Sequence, residues 1–213
     1  MGRYGGMTWL LNSTGDGHLM QNEVTVGEYQ RCVDDGACHV ASGAQLTYSD
    51  NPQCNFGDPA RDKHPMNCLT TAAAEEFCEW AAPGANLGRL PSAMELEREI
   101  TNYDSSLHAG TTELPWGDTP TCSRAWLTAL EGSLACARSA VAPATIQTCS
   151  LPAGYNQNHF CDLIGNVAEF TAEEPPLPDH YVAGRSFKDA FNFLESGYYS
   201  TPLDPLGDLQ PPN

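Results

Sequence analysis

Phe160-Cys161-Asp162-Leu163-Ile164-Gly165-Asn166-Val167-Ala168-Glu169-Phe170 sets two carboxylates seven residues apart around a Gly-Asn pair. Gly165 and Asn166 are residue types that tolerate positive φ, so the chain can fold back between the two acids. A backbone folded this way can aim side-chain oxygens and carbonyls at one point, the environment that a hard cation such as Ca²⁺ selects. The competing reading is a tight turn between two buried strands, with both acids in water. Spacing alone favours that reading, because no EF-hand pattern is present.

The rest of the composition shifts the balance. Ten Lys and Arg against 27 Asp and Glu give the 213-residue chain a net charge of −17. This argues against nucleic acid and anionic membrane surfaces as partners and suits a cation or a basic protein surface. Solubility alone also accounts for such an excess of acid. No run of 18 apolar residues occurs, so no membrane insertion is expected, and Met1-Gly2-Arg3-Tyr4-Gly5-Gly6 is not a signal peptide.

Nine cysteines are many for a reducing compartment and ordinary for an exported protein. The expected location is therefore extracellular, periplasmic or at the cell surface, with a leader outside this sequence. Close neighbours form four candidate pairs: Cys32 and Cys38, Cys54 and Cys68, Cys122 and Cys136, Cys149 and Cys161. Cys78 is left over as a candidate free thiol. Connectivity stays open at this level. A bridge closing about 15 residues stabilises by roughly 3 kcal/mol in the chain-entropy model. Zinc is the rival use, with His64 and Cys68 as possible ligands, but no paired Cys-x-x-Cys supports it.

Along the chain, Met7-Thr8-Trp9-Leu10-Leu11 reads as a strand within a polar, Gly-rich opening. Thr25 and Glu28 form a capping box. Val26, Tyr29 and Val33 then recur at helical spacing until Gly36. Residues 39 to 67 read as irregular. A second helix is predicted from Thr71 to Ala81, with Ala73, Phe77, Trp80 and Ala81 on its inner stripe and Pro83-Gly84 stopping it. A third opens at Ser92, capped by Glu95, with Leu96 and Ile100 inward. From Asn102 to Pro212 only short segments and loops are expected, and loops of that length need covalent or ionic ties. No linker or repeat divides the chain, so one domain over 1–213 is expected.

The order of these segments resembles the formylglycine-generating enzyme, or sulfatase-modifying factor, family. The matching pieces are Asn22-Glu23-Val24-Thr25-Val26-Gly27-Glu28-Tyr29, His64-Pro65-Met66-Asn67-Cys68 with Phe77-Cys78-Glu79-Trp80, and Arg89-Leu90-Pro91-Ser92 with Glu95-Leu96-Glu97. Pro115-Trp116-Gly117-Asp118 and the opening stretch complete them. The resemblance implies an α+β, C-type-lectin-like domain, loop-rich with few helices and short strands. Its best-matched core is 22–187, and both ends read as curtailed. It also implies one structural Ca²⁺ held by the side chains of Asp162 and Glu169 and the carbonyls of Gly165 and Val167. A second family Ca²⁺ site finds no counterpart in residues 122 to 150.

The family's copper-assisted oxidation of a substrate cysteine is not implied. Its two active cysteines would fall at Asp189 and Leu194, and no cysteine follows Cys161. Soft Cu(I) needs thiolate, so copper is not expected. Histidines 18, 39, 64, 108, 159 and 180 show no clustering of the kind that iron-dependent relatives use. The expectation is a non-catalytic, extracytoplasmic binding module for a protein, peptide or glycan. An active enzyme of the superfamily with altered chemistry and a truncated relic are the alternatives.

Overall fold

The computed structural model describes residues 2–4, 6–39, 47, 51–82, 88–101, 114–116, 121–127, 129–130, 134–135, 145–172, 182–184, 186 and 190–191. Three antiparallel strands open it, in spatial order β1-β2-β3: β1 (Gly2–Tyr4), β2 (Met7–Leu11) and β3 (His18–Met20). The register puts Trp9 opposite both Gly2 and Met20. Only β2 carries a legible apolar signal. Its neighbours are three residues each and were not expected, since runs that short are formed by pairing rather than by local preference.

Three helices follow where the caps and apolar spacing predict them: α1 (Val26–Asp34), α2 (Thr71–Ala81) and α3 (Ala93–Ile100). Both capping boxes form, with Thr25 and Ser92 accepting from the backbone N–H groups of Glu28 and Glu95. Gly36 takes φ 74° beyond α1, a conformation that favours glycine. α2 ends at Ala81, and Pro83 and Gly84 lie outside the described residues.

The other described residues form turns, two 3-10 helices and short pairings: β4 (Ala129–Leu130) between β5 (Leu134–Ala135) and β8 (Ala190–Phe191), and β6 (Glu169–Phe170) with β7 (Val182–Ala183). Two apolar clusters organise these elements. Met7, Val26, Tyr29, Phe56, Met66, Phe77 and Ala81 form the first, joining β2, α1 and α2. Trp80 packs at its rim, where the indole N–H donates to Asp35 at 3.0 Å. Leu96, Ile100, Leu114, Leu127, Phe160, Leu163 and Ile164 form the second, which seats the 160–170 stretch on α3. Glu99, on the inner side of α3, is fully buried. Its carboxylate accepts from the Ser13 N–H and from the Asn156 and Asn158 amides.

Cys32–Cys38, Cys54–Cys68 and Cys149–Cys161 are disulfides, as the spacing suggested. Cys122 is disulfide-bonded too, while Cys136 lies outside the described residues. With Cys68 bridged to Cys54 and the His64 Nδ1 2.9 Å from the Thr145 hydroxyl, the zinc reading of that pair fails. Cys78 is the free thiol, half-buried on α2. Burial, then the nearby Glu75 carboxylate, pushes it up to about 12. No helix among the described residues is long and apolar enough to cross a membrane.

Candidate metal centre

The 160–170 stretch is not helical. Asp162, Gly165 and Asn166 all take positive φ, at 57°, 88° and 59°. The reversal is held by two partners distant in the chain. Gly165 N–H donates to Gly184 O and Asn166 N–H to Trp126 O, each at 2.9 Å. The peptide joining Gly165 to Asn166 is therefore fixed, with its carbonyl directed away from Trp126. A side chain at Gly165 would meet the Trp126 backbone at 2.8 Å, so the approach demands glycine on contact as well as on φ.

Two of the expected ligands are carboxylates taken out of water. Burial pushes Asp162 up to about 6, partly offset by the Cys149 N–H that donates to its Oδ2. Glu169 starts β6 opposite Ala183, and its Oε2 is shielded from solvent without a hydrogen-bond partner among the described residues. Burial first, then the charges of Glu23 and Asp162, push the Glu169 carboxyl well above the ordinary carboxylate range. Gly184, at φ 86°, makes room for it, since a Cβ there would sit 2.1 Å from Glu169 Oε2.

Glu23 is the residue that sequence reasoning missed as part of this site. It lies between β3 and α1, 8% exposed, and reaches across 143 residues of chain to the reversal. Its Oε2 accepts from the Asn166 Nδ2 at 2.7 Å and its Oε1 from the Val167 N–H at 2.9 Å. Asn166 is completed by Ile146, whose N–H donates to its Oδ1 at 3.0 Å. Burial and then the Asp162 charge push the Glu23 carboxyl well above its ordinary value. The only sequence signal was its place in the Asn22–Tyr29 segment, which carries no hint of a partner so distant.

The charges of Glu23, Asp162 and Glu169 thus act on one another, and together with burial they disfavour the ionised forms. The donor types fit a hard cation: carboxylate oxygens of Asp162 and Glu169, the Oε2 of Glu169 buried and without a partner among the described residues, and main-chain carbonyls of Gly165 and Val167. The sulfurs of Cys149 and Cys161 also lie within 4.8 Å of an Asp162 oxygen, but as a disulfide they offer no thiolate. Asp189 and Leu194, at the positions of the expected missing cysteines, lie outside the described residues.

The model of the sulfatase-modifying factor enzyme 1-like domain matches residues 15–200. The chain belongs to this family. A solved structure titled "Crystal Structure of CarF" shares the fold, with a TM-score of 0.55 and 19% identity over 88% of this chain and 85% of that one. Likeness at that identity speaks for the fold alone. No curated protein matches the sequence. Among the described residues the sulfatase-modifying factor domain has its loop-rich α+β frame, with three α-helices and short strands.

Proposed function

We propose that this chain is a non-catalytic sulfatase-modifying factor-like domain: a Ca²⁺-stabilised, extracytoplasmic binding module presenting loops to a protein, peptide or glycan. The observation that carries the reading is the buried Oε2 of Glu169, without a partner among the described residues and under the charge of two further carboxylates, Glu23 and Asp162. A Ca²⁺ bound there supplies the positive charge that lets the carboxylates stay ionised. Asp162 and Glu169 contribute carboxylates, Gly165 and Val167 contribute carbonyls, and Glu23 orients the turn. Three disulfides among the described residues favour an oxidising compartment. The want of any cysteine after Cys161 leaves nothing to bind copper at the family's reactive position.

Thermal melting of the oxidised chain, with Ca²⁺ and with a chelator, tests the proposal. At a hundredfold excess over its dissociation constant Ca²⁺ adds about 2.7 kcal/mol, a gain that Glu169→Ala abolishes. Coincident melting curves for the unsubstituted chain with and without the ion refute the metal site. Copper-dependent oxidation of a Cys-x-Pro-x-Arg peptide by the purified chain refutes the non-catalytic assignment.

A further inference from the structure

Asp162 is gripped by both halves of one disulfide. Cys161 precedes it in the chain, and Cys149 donates its backbone N–H to the Asp162 carboxylate. The two sulfurs and an Asp162 oxygen all lie within 4.8 Å of one another. Cys149 is itself anchored, because the Tyr155 hydroxyl donates to its carbonyl at 2.9 Å. Cys161 is anchored from another direction, its N–H donating to Gln21 O at 3.0 Å. Cys149 and Asp162 both hold φ 57°. For residues other than glycine this conformation is strained and persists where the surroundings over-determine it.

From this geometry we infer that the Cys149–Cys161 disulfide is a positioning element of the cation site, so that cation affinity and the redox state of this pair are linked. The inference rests on the Ca²⁺ reading above. With the bond closed, the carboxylate of Asp162 is presented to the site by a backbone that has little freedom to turn away. With it open, the 149–161 connection loses its covalent closure, and the left-handed conformation at Asp162 loses a support. Supporting groups of this kind typically change metal affinity by about 10- to 100-fold. Linkage requires the converse in equal measure: a cation that binds the closed form more tightly must favour closure by the same factor.

The redox step is a thiol–disulfide exchange with a dithiol. One thiolate of the dithiol attacks a sulfur of the pair, breaking the bond between Cys149 and Cys161 and forming a mixed disulfide. The second thiol of the dithiol displaces it. Two electrons and two protons pass to the protein, leaving two cysteine thiols, and the dithiol leaves as its cyclic disulfide. Cys149 is half-buried and Cys161 is 3% exposed, so attack falls on the Cys149 side.

Two measurements test the link. Calorimetric Ca²⁺ titration of the oxidised chain and of the Cys149→Ser, Cys161→Ser double variant should give at least a tenfold weaker dissociation constant for the variant. In buffers of reduced and oxidised dithiothreitol, alkylation and mass spectrometry give the midpoint for opening each disulfide. Saturating Ca²⁺ should move the Cys149–Cys161 midpoint by a matching factor and leave Cys54–Cys68 where it was. Equal affinities in the two proteins, or a Cys149–Cys161 midpoint that ignores Ca²⁺, overturn the inference while the metal site stands. An oxidised chain that binds no Ca²⁺ at all overturns both. If the double variant does not fold, the midpoint shift in the unsubstituted chain decides alone.

Discussion

The Tyr29 cluster and the 160–170 reversal are held by different physics. Around Tyr29, two capped helices bring aromatic rings together. Phe56 stands edge-on at 6.0 Å between centroids, and Phe77 lies stacked at 5.9 Å. Such a cluster is stable through apolar burial and needs no ion. The reversal is made of single turns, positive-φ residues and acids whose carboxyls burial and mutual repulsion hold above the ordinary range. One region is a core in the ordinary sense. The other is a turn of acids supported by a core, and Glu23 ties the first region's end of the chain to the second.

The largest expected effect comes from the first region. Phe77, 2% exposed, fills the space between Tyr29 and Trp80, so Phe77→Ala should cost about 3–5 kcal/mol. Denaturant melts should show the same loss in Ca²⁺ and in chelator. A loss that differs between the two conditions would mean that the regions are not separable.

Glu23→Ala probes the tie between them. It removes one of the two acceptors of the buried Asn166 amide, which keeps Ile146 O at 3.3 Å, and leaves the Val167 N–H without its acceptor, at about 1–3 kcal/mol for a group left unsatisfied. In chelator the removal of one of three repelling carboxylates offsets part of this loss. Melting in Ca²⁺ should therefore be lowered more than melting in chelator, and an equal drop would show that Glu23 does not feel the ion.

Cys78 gives the smallest effect. Its thiol is pushed from an ordinary 9.0 up to about 12 in the folded chain. A folded-state value raised above the unfolded one means that the neutral thiol's contribution is complete below pH 9 and declines as pH climbs towards 12. Cys78→Ala should flatten the alkaline fall in stability above pH 9, with or without Ca²⁺. An unchanged slope would show that the thiol ionises as freely folded as unfolded. At neutral pH, alkylation of Cys78 should be slow until denaturant is added.

The helices were legible because their causes are local. Thr25 with Glu28 and Ser92 with Glu95 are complete signals within four residues, and the stripe Ala73, Phe77, Ala81 repeats at one helical period. Three disulfides were legible for the same reason, their partners being separated by 6, 14 and 12 residues. β1 and β3 were not, because a three-residue strand is defined by its neighbour. Glu99 was likewise hidden: nothing within α3 says that Asn156 and Asn158 will arrive to accept it into the interior.

By itself the sequence determined the three helices and the candidate pairing of near cysteines. Each is specified by residues close together along the chain, whereas the reversal between Asp162 and Glu169 also needs Trp126 and Gly184 to hold it. Only the tertiary structure decided that Glu23 joins those acids, that Gly184 clears the space beside Glu169, and that the Glu169 Oε2 has no partner among the described residues. Burial and charge coupling depend on which segments arrive from elsewhere, and water is excluded from the turn only once they have done so.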